Sequence, residues 1–345
     1  MNIPWMIPNF QQQDIESMKR VLDSGWLSMG KEVEHFEQQF QDYLGVKHAV
    51  AVNNGTSALD VALKCLGIKW GDEVIVPALT YIATANAVLY NRGTPVYVDA
   101  DDSWNIDPEL IEDKITKNTK AIMNVDWGGN PSFYKGLQKV SEEYNLPLVV
   151  DGAQSIGSLF HEKPCCTQGL INTTSFHQAK ILTTIEGGMV FTDNDAFAYK
   201  ARCIRNQGQT QRYVNTYLGN NYRMIDVVAG MGTSQIQRLD DTIKERRSKA
   251  KYYKSRLKNV SYPFEWKQTR NSYFFFNIFV HNKDALQKHL EQYGVETRFS
   301  KALENQPHAK EITEHAIALP LFQSIRKEQQ DYVIDLVNTF QESNQ

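Results

Sequence analysis

The segment NTTSFHQAKILTTIEGGMVFTDN, residues 172–194, places one lysine between two β-prone runs. Two threonines and Ser175 close the first run, and Glu186-Gly187-Gly188 opens the second, which continues to Thr192. Ser175 and Lys180 are therefore predicted to lie on one tight connection between two strands. A loop that a sheet holds at both ends is a place where a reactive side chain can be positioned well.

Lys180 emerges from an apolar setting, because its neighbours include Phe176, Ala179, Ile181 and Leu182. Burial disfavours the ammonium form, lowers the pKa of a lysine and makes it a nucleophile toward carbonyl groups. Most lysines are only solvated charges, so this interpretation needs support from other residues. The best-known use of such a lysine is a Schiff base with pyridoxal 5'-phosphate (PLP). That use requires two further parts, a carboxylate for the pyridinium nitrogen and a cradle for the phosphate.

The chain has the length and composition of a globular protein. Its 345 residues are enough for a large core and two domains. The net charge of -3 gives no reason to expect nucleic acid or an acidic membrane surface as a partner. No apolar run is long enough to span a membrane, and the first residues lack the features of a signal peptide, so a cytoplasmic location is expected. Zinc-site and disulfide spacings are absent, so we expect no metal and reduced thiols at Cys65, Cys165, Cys166 and Cys203.

Short β-prone runs and helical patterns alternate over the first half of the chain. Strands are predicted at 48–52, 73–76, 95–98, 121–125 and 147–150, and helices at 10–24, 31–44, after Ser57, at 81–89, from Asp107-Pro108 onward and at 133–144. This rhythm is typical of an α/β fold with a mainly parallel central sheet flanked by helices. In such sheets the ligand lies beyond the carboxyl ends of the strands, where Asp151 and Gly55-Thr56-Ser57 are placed.

The last third of the chain has a different pattern. Helices are predicted at 195–206, at 226–258 with a break near Asp240-Asp241, at 283–293 and at 327–340, and a strand at 273–280. We therefore predict a large α/β domain over residues 1–240 and a smaller α+β domain over residues 241–345. The sequence leaves open whether the first dozen residues join the small domain.

Asp151 follows the apolar run Leu148-Val149-Val150, so its carboxylate is presented at a strand end among apolar neighbours. A carboxylate there suits a pyridinium nitrogen, because the ion pair keeps the ring protonated and able to accept electrons. The alternative role is the N-cap of a following helix. Gln154, three residues further on, could hydrogen-bond the phenolic oxygen of the ring.

The tripeptide Gly55-Thr56-Ser57 stands at a predicted strand-to-helix turn, where backbone N–H groups and two hydroxyls suit a phosphate. The same three residues are also an ordinary helix start. Ser175 could supply a further hydroxyl, and Tyr81 could either stack on a flat ring or pack in the core. The chain has no Gly-x-Gly-x-x-Gly fingerprint, Walker loop or His-Glu-x-x-His motif.

A series of motifs, in order, resembles the DegT/StrS family of PLP-dependent sugar aminotransferases, which have the aspartate aminotransferase fold (PLP-transferase fold type I). The resemblance covers nearly everything from Gly25 to about Leu336. Its carriers are Gly25-Trp26-Leu27-Ser28-x-Gly30, Asn54-Gly55-Thr56-Ser57-Ala58-Leu59, Gly71-Asp72-Glu73-Val74-Ile75-Val76-Pro77 with Thr80-Tyr81, Asp151-Gly152-Ala153-Gln154-Ser155, Ser175-Phe176-His177-x-x-Lys180 through Glu186-Gly187-Gly188, Asn221-Tyr222-Arg223-Met224, and Leu319-Pro320-Leu321.

The resemblance implies a role for each matched residue. Lys180 would be the Schiff-base lysine and proton shuttle, where a dehydrating branch of the family has histidine. The other cofactor residues implied are Asp151 at the pyridinium, Gln154 at the ring oxygen, Thr56, Ser57 and Ser175 at the phosphate, and Tyr81 in the stacking position. Asn221 matches an asparagine that reaches the phosphate from the neighbouring subunit, which implies a C2 homodimer with shared sites. Positions near the substrate are implied for Trp26, His177, Arg223 and Arg298.

The chain departs from the family pattern in three places. Gly152 stands where alanine is expected after Asp151, residues 297–307 lack the histidine that usually precedes Gln306-Pro307, and residues 124–131 are less typical. Because the second region helps to shape the sugar site in the family, the resemblance leaves the sugar open.

The implied function is transfer of an amino group from L-glutamate to a 3- or 4-keto deoxy sugar carried on a nucleoside diphosphate. The cofactor would alternate with pyridoxamine 5'-phosphate, and the amino sugar would serve surface polysaccharide or glycoconjugate synthesis. One alternative acceptor is a keto-cyclitol. A second alternative is a PLP-binding regulatory protein without turnover, against which the intact set of Lys180, Asp151 and Gln154 argues.

Overall fold

The computed structural model describes residues 1–299 and 301–343. The helices are α1 (Gln12–Ser24), α2 (Lys31–Leu44), α3 (Gly55–Leu66), α4 (Ile82–Tyr90), α5 (Tyr134–Glu143), α6 (Asp195–Arg205), α7 (Asp226–Ile236), α8 (Leu239–Arg256), α9 (Lys283–Gln292), α10 (Pro307–His315) and α11 (Lys327–Ser343). The strands are β1 (His48–Val52), β2 (Glu73–Pro77), β3 (Thr94–Val98), β4 (Thr119–Val125), β5 (Leu148–Asp151), β6 (Leu159–Phe160), β7 (Lys163–Pro164), β8 (Ile171–Ser175), β9 (Gly188–Thr192), β10 (Gln209–Gln211), β11 (Val214–Asn215), β12 (Thr269–Arg270), β13 (Phe276–Phe279), β14 (Arg298–Phe299) and β15 (Ala316–Leu319).

The central sheet has the strand order β1-β9-β8-β5-β4-β2-β3. Strand β9 runs antiparallel to β1 and β8, whereas β8, β5, β4, β2 and β3 pair in parallel. The strands are buried along most of their length because helices cover both faces, which explains their β-branched and apolar composition. The predicted α/β fold with a mainly parallel sheet is confirmed.

The lysine segment lies where the sequence predicts it. Strands β8 and β9 are neighbours, and Ser175 pairs with Gly188 at the end where the chain turns back. The connection that carries Lys180 therefore leaves and re-enters the same edge of two adjacent strands. Both ends of the connection are fixed by the hydrogen-bonded ladder.

Two helix predictions are corrected by the structure. The segment after Asp107 forms the short 3-10 turns Pro108–Leu110 and Glu112–Lys114 instead of an α-helix, although Asp107 does cap the first turn. Only Pro108 and Ile111 are buried in this segment, and a longer helix would have no continuous apolar face to pack.

The break predicted near Asp240-Asp241 is present between α7 and α8, but it falls slightly earlier, at residues 237–238. The guanidinium of Arg238 binds the buried carboxylate of Asp14 in α1, with an Nη1–Oδ1 distance of 2.9 Å. The two aspartates instead occupy the first turn of α8, where negative charge favours a helix N-terminus.

The predicted strand 273–280 is shorter than expected, because β13 begins only at Phe276. Tyr273 has a left-handed backbone with φ of 52°, and the N–H of Phe275 donates to the carbonyl of Gly128 at 3.1 Å. These features turn the segment toward the large sheet before the strand starts. Helix α10 is an element that the sequence analysis did not predict.

A second apolar core forms around β13 and β15, separate from the cores on the two faces of the central sheet. It includes Tyr253, Phe276 and Val333, and also Ile3 from the start of the chain. Ile3 exchanges backbone hydrogen bonds with Gly294 and Glu296, so the first residues pack with the C-terminal part. The exact division near residue 240 stays a prediction. Within residues 1–299 and 301–343, no helix is long and apolar enough to cross a membrane.

Candidate active site

A cavity of about 650 Å³ opens beyond the carboxyl ends of β4, β5 and β8. This is the edge of the sheet where the sequence predicts a ligand. The cavity is lined by Asn54, Gly55, Thr56, Ser57, Leu59, Asp60, Thr80, Tyr81, Ala83, Tyr90, Val125, Trp127, Asp151, Ala153, Gln154, Ser175, His177, Ala179, Lys180, Glu186, Tyr222, Phe274 and Phe275. The residues proposed for the ring, the phosphate and the reactive amine therefore meet in one space.

Lys180 reaches into this cavity from the β8–β9 connection. A turn fixes its backbone, because its N–H donates to the carbonyl of His177 at 2.8 Å. Its Nζ lies 4.3 Å from the centroid of the Phe274 ring. Burial lowers the pKa of Lys180 to about 8, and the negative charge of Asp151 opposes this effect. An appreciable fraction of the amine is therefore neutral, and nucleophilic, at mildly basic pH.

Asp151 ends β5 as a buried carboxylate. Its Oδ2 accepts a hydrogen bond from Thr84 Oγ1 at 2.9 Å, and its Oδ1 accepts from the N–H of Ala153 at 3.2 Å. Burial raises the pKa of Asp151, whereas the two hydrogen bonds and the charge of Lys180 act in the opposite direction. Turns, not a helix, follow Asp151, so the alternative role as a helix N-cap is wrong. A buried carboxylate of this kind suits a cationic partner.

Gln154 is oriented by the backbone of a neighbouring loop. Its Oε1 accepts a hydrogen bond from the N–H of Gly128 at 2.8 Å. Gly128 has φ of 68°, a left-handed conformation that glycine adopts without strain. Because the amide oxygen is engaged in this bond, the amide NH₂ of Gln154 remains as the donor that can face an oxygen in the cavity.

The start of α3 and the end of β8 form a cradle for an anion. Asn54 caps α3, and its Oδ1 accepts from the N–H of Ser57 at 2.8 Å. A Cβ atom added at Gly55 would lie 2.7 Å from the Cβ of Ser175, so only glycine permits this approach of helix and strand. Thr56, Ser57 and Ser175 all line the cavity at this helix N-terminus, where the helix dipole also favours a phosphate.

Replacing Gly55 by alanine should damage the cradle. The new Cβ would stand 2.7 Å from the Cβ of Ser175, so the first turn of α3 has to move away from β8. We expect the dissociation constant for PLP to rise by about tenfold or more, because charge-assisted hydrogen bonds to the phosphate lose their geometry. Equilibrium titration of the apo-protein with PLP measures this change. Gly67→Ala, which changes a glycine at the other end of α3, is the control for a general loss of stability.

Tyr81 and His177 lie at the rim of the cavity. The side chain of Tyr81 is 68% exposed, so its alternative role in core packing is wrong and its ring is free to cover a flat ligand. His177 is half-buried and its Nε2 lies 3.8 Å from Oε1 of Glu186, across the lysine connection. The rim therefore carries an imidazole and a carboxylate near the path by which a substrate would enter.

Four predicted residues lie outside the cavity of this chain. Arg223 binds Oδ1 of Asn206 at 2.6 Å, and Arg298 lies over the ring of Trp5 at 5.1 Å. Trp26 packs beside Gly30 and is largely exposed, and Asn221 is also exposed. The roles of Trp26, Arg223 and Arg298 near the substrate, and of Asn221 at a partner's phosphate, stay predictions.

The structure also reveals residues that the sequence analysis did not select. Thr84 binds Asp151, Tyr222 lines the cavity while its hydroxyl donates to Asp60 at 2.9 Å, and Phe274 covers Lys180. The spacing of Thr80 and Thr84, four residues apart at a crevice-side helix start, was the available signal for the threonine. The approach of Phe274 depends on contacts across more than ninety residues of chain, which no local pattern shows.

Comparison with known proteins agrees with this geometry. A profile of the DegT/DnrJ/EryC1/StrS aminotransferase family matches residues 8–338. The chain belongs to this family. It is 36% identical to the GDP-perosamine synthase of Escherichia coli O157:H7 over 98% of both chains, and 32% identical to the dTDP-3-amino-3,6-dideoxy-alpha-D-galactopyranose transaminase of Aneurinibacillus thermoaerophilus over 96% of both. The crystal structure of S. venezuelae DesV in complex with a ketimine intermediate superposes with a TM-score of 0.94 at 29% identity, covering 99% of each chain.

DegT family aminotransferases use PLP, and this member is a PLP-dependent aminotransferase. The cavity fits the cofactor on its own features, because the start of α3 and Ser175 line one part of it and the Gln154 amide presents a donor. When bound, PLP supplies the carbonyl carbon that takes up the amino group and the ring that withdraws electrons. Lys180 would hold the cofactor through its amine and move the proton, and Asp151 would hold the charge at the ring nitrogen.

Proposed function

We propose that this protein transfers the amino group of L-glutamate to a 3- or 4-keto deoxy sugar linked to a nucleoside diphosphate. The observation that carries the proposal is the single cavity in which Lys180, Asp151, Gln154 and the anion cradle converge. Family membership supports aminotransferase chemistry on sugars, and the two curated relatives are named for GDP-linked and dTDP-linked sugars. The cytoplasmic location expected from the sequence stays a prediction.

The shape of the cavity supports an acceptor larger than an amino acid. PLP needs only the inner part, between Asp151 and the start of α3, and the 650 Å³ volume extends outward to the rim at Tyr81 and His177. The rim is polar and open, which suits the hydroxyl groups of a sugar. L-Glutamate and the keto sugar would use this space in turn, because the first must leave its amino group on the cofactor before the second accepts it.

We further propose that the working form is a homodimer with shared sites. Apolar side chains are exposed along α4 and near the β10–β11 hairpin, including Leu89, Tyr90, Tyr213 and Leu218. Tyr90 and Leu218 line the same second cavity, of about 620 Å³, so these two exposed side chains adjoin one another. Contiguous apolar surface of this kind indicates a protein interface. Asn221 lies close to this surface and is exposed, as a residue that serves the neighbouring subunit would be.

The proposed activity is tested in two steps with purified protein and PLP. First, L-glutamate should change the absorbance of the bound cofactor and release 2-oxoglutarate. Second, GDP-, dTDP- and UDP-linked keto sugars should restore the original spectrum, with the amino sugar identified by mass spectrometry. A protein that binds PLP but leaves glutamate unchanged would support the regulatory alternative. Turnover of a keto-cyclitol, with no nucleotide raising the melting temperature, would support the other one.

Shared sites predict complementation between two inactive variants. A heterodimer of Lys180→Ala and Asn221→Ala subunits has one site that lacks both residues and one site that keeps both, if Asn221 crosses the interface. Mixing and reassociating the two variants should therefore recover activity that neither homodimer has, up to about half the wild-type value per dimer. Sites built from one chain alone would show no recovery on mixing, and that result would contradict the shared arrangement.

A further inference from the structure

Two buried hydroxyls beside Asp151 form a chain that leads away from its carboxylate. Thr84 Oγ1 lies 2.9 Å from Oδ2 of Asp151, and Thr80 Oγ1 lies 2.8 Å from Thr84 Oγ1. Thr84 is 0% exposed and Thr80 is 2% exposed. We propose that Thr84 is a positioning residue that keeps Asp151 ionised and aimed at the ring nitrogen of PLP, with Thr80 supporting it. This inference rests on the function proposed above.

The direction of the chain follows from the number of protons available. An ionised carboxylate only accepts hydrogen bonds, so Thr84 must donate its single proton to Asp151. The oxygen of Thr84 is then free to accept from Thr80, which makes Thr80 the donor in the second bond. Each bond polarises the next, and the effect is strongest when the last acceptor carries a charge. A neutral Asp151 would lose this advantage, so the arrangement favours the carboxylate.

The bond from Thr84 to Asp151 is not the usual one for a buried helical threonine. Such hydroxyls commonly donate to a carbonyl in the preceding turn of their own helix, as Thr233 does to Gly230 in α7 at 2.8 Å. Thr84 lies in the first turn of α4, where the carbonyl three residues back, that of Tyr81, accepts its backbone N–H at 3.1 Å. Its hydroxyl instead reaches across to the carboxylate of Asp151 in β5.

The other groups that face Asp151 cannot replace Thr84. Lys180 is the positive charge nearest to it on the β8–β9 connection, but the proposed chemistry uses that amine and changes its charge. Cys166 faces it from the 3-10 turn Cys165–Thr167, and burial raises the pKa of this thiol to about 12, so it is neutral at pH 7. The N–H of Ala153 makes a longer bond, at 3.2 Å. Thr84 is thus the strongest constant donor to the carboxylate among the residues that the structure describes.

The sign of the expected pH effect follows directly. Burial raises the pKa of Asp151 and the Thr84 hydrogen bond lowers it. Removing the bond raises the pKa further, so the carboxylate becomes protonated at a higher pH and loses its attraction for the ring nitrogen. The acid-side midpoint of PLP binding should therefore move upward.

The experiment compares Thr84→Val, Thr84→Ser and Thr233→Val with wild type. PLP dissociation constants are measured by equilibrium titration of the apo-protein from pH 5 to pH 9, together with melting temperatures. Valine keeps the shape of threonine but cannot donate, so Thr84→Val should weaken PLP binding at pH 7 by about tenfold and raise the acid-side midpoint by about one unit. Thr84→Ser should restore the wild-type midpoint. Thr233→Val should lower the melting temperature without moving the acid-side midpoint of PLP binding.

Two results would overturn the inference while leaving the proposed function intact. In the first, Thr84→Val shows the wild-type midpoint and PLP affinity although wild type binds PLP and turns over glutamate. In the second, Thr84→Ser behaves like Thr84→Val, which would mean that shape and not hydrogen bonding matters. If wild type itself binds no PLP, the proposed function fails, and the inference fails with it. If Thr84→Val does not fold, the serine variant and Thr80→Val, which removes only the supporting donor and should cause a smaller shift in the same direction, decide the question.

Discussion

Replacing Lys180 by alanine is expected to lower the rate of transamination by about 10³-fold or more, because the substitution removes one amine that serves both as nucleophile and as proton carrier. The amine lies over the ring of Phe274, whereas the titratable side chains of His177 and Glu186 lie at the rim of the cavity. The measurement is a single-turnover reaction of the PLP-loaded protein with L-glutamate, followed by cofactor absorbance and by 2-oxoglutarate release. PLP should still bind through the cradle, although more weakly.

Two controls separate chemistry from folding in this experiment. Lys139→Ala removes an exposed lysine from α5 and should leave the rate unchanged. Methylamine in the buffer is a small primary amine that fits the space vacated by the lysine side chain and should partly restore the rate to Lys180→Ala. If Lys180→Ala keeps a transamination rate within a few fold of wild type, another base moves the proton, and the assignment of Lys180 is wrong.

The fold was predictable from local sequence patterns where the apolar residues of a pattern also form the core. Residues 48–52 and 147–150 are short apolar runs bounded by turn residues, and both form the expected buried strands. The helix predicted after Asp107 was wrong, because a good N-cap and a proline start a turn but a helix also needs buried apolar residues to sustain it. The break before α8 lies earlier than predicted. Arg238, at this break, binds Asp14 in α1, and local patterns do not show such a long-range contact.

The candidate site was predictable where its functional residues stand at or just after the ends of predicted strands. Asp151 ends β5, and Lys180 and Gly55 follow β8 and β1. These three strands run in the same direction, so their carboxyl ends share one edge of the sheet. The supporting residues escaped notice because their partners are distant: Thr84 is 67 residues from Asp151, and Gly128 is 26 residues from Gln154. The side chains that carry the chemistry are therefore easier to predict from sequence than the residues that orient them.

Replacing Asp151 by asparagine is expected to have the second large effect. The amide keeps the size of the side chain but cannot carry the charge that would pair with the ring nitrogen. The charge keeps the ring nitrogen protonated and the ring able to accept electrons, so its loss should lower the transamination rate by about 10²–10³-fold or more. Single-turnover kinetics with L-glutamate measure this loss, and the unchanged cradle should still bind PLP.

The apo-protein provides an independent readout for the same substitution. Burial raises the pKa of Asp151, so the folded state binds the proton more tightly than the unfolded state does. The charged side chain therefore destabilises the apo-protein as the pH rises above the unfolded pKa, and Asp151→Asn should raise its melting temperature at pH 7. The difference should shrink as the pH falls and Asp151 becomes neutral. An equal or lower melting temperature at pH 7 would show that the carboxylate is fully satisfied without PLP.

Combining Thr84→Val with Asp151→Asn tests whether the two residues act on PLP binding through one mechanism. If Thr84 acts only by keeping Asp151 charged, Thr84→Val should weaken PLP binding in the wild-type background and have little further effect in Asp151→Asn. The coupling free energy from this double-mutant cycle should then equal most of the single effect of Thr84→Val. Additive effects would mean that Thr84 contributes to PLP binding by another route, such as the position of α4. Valine and asparagine keep the sizes of the side chains that they replace, so the cycle reports mainly the hydrogen bond between these two buried residues.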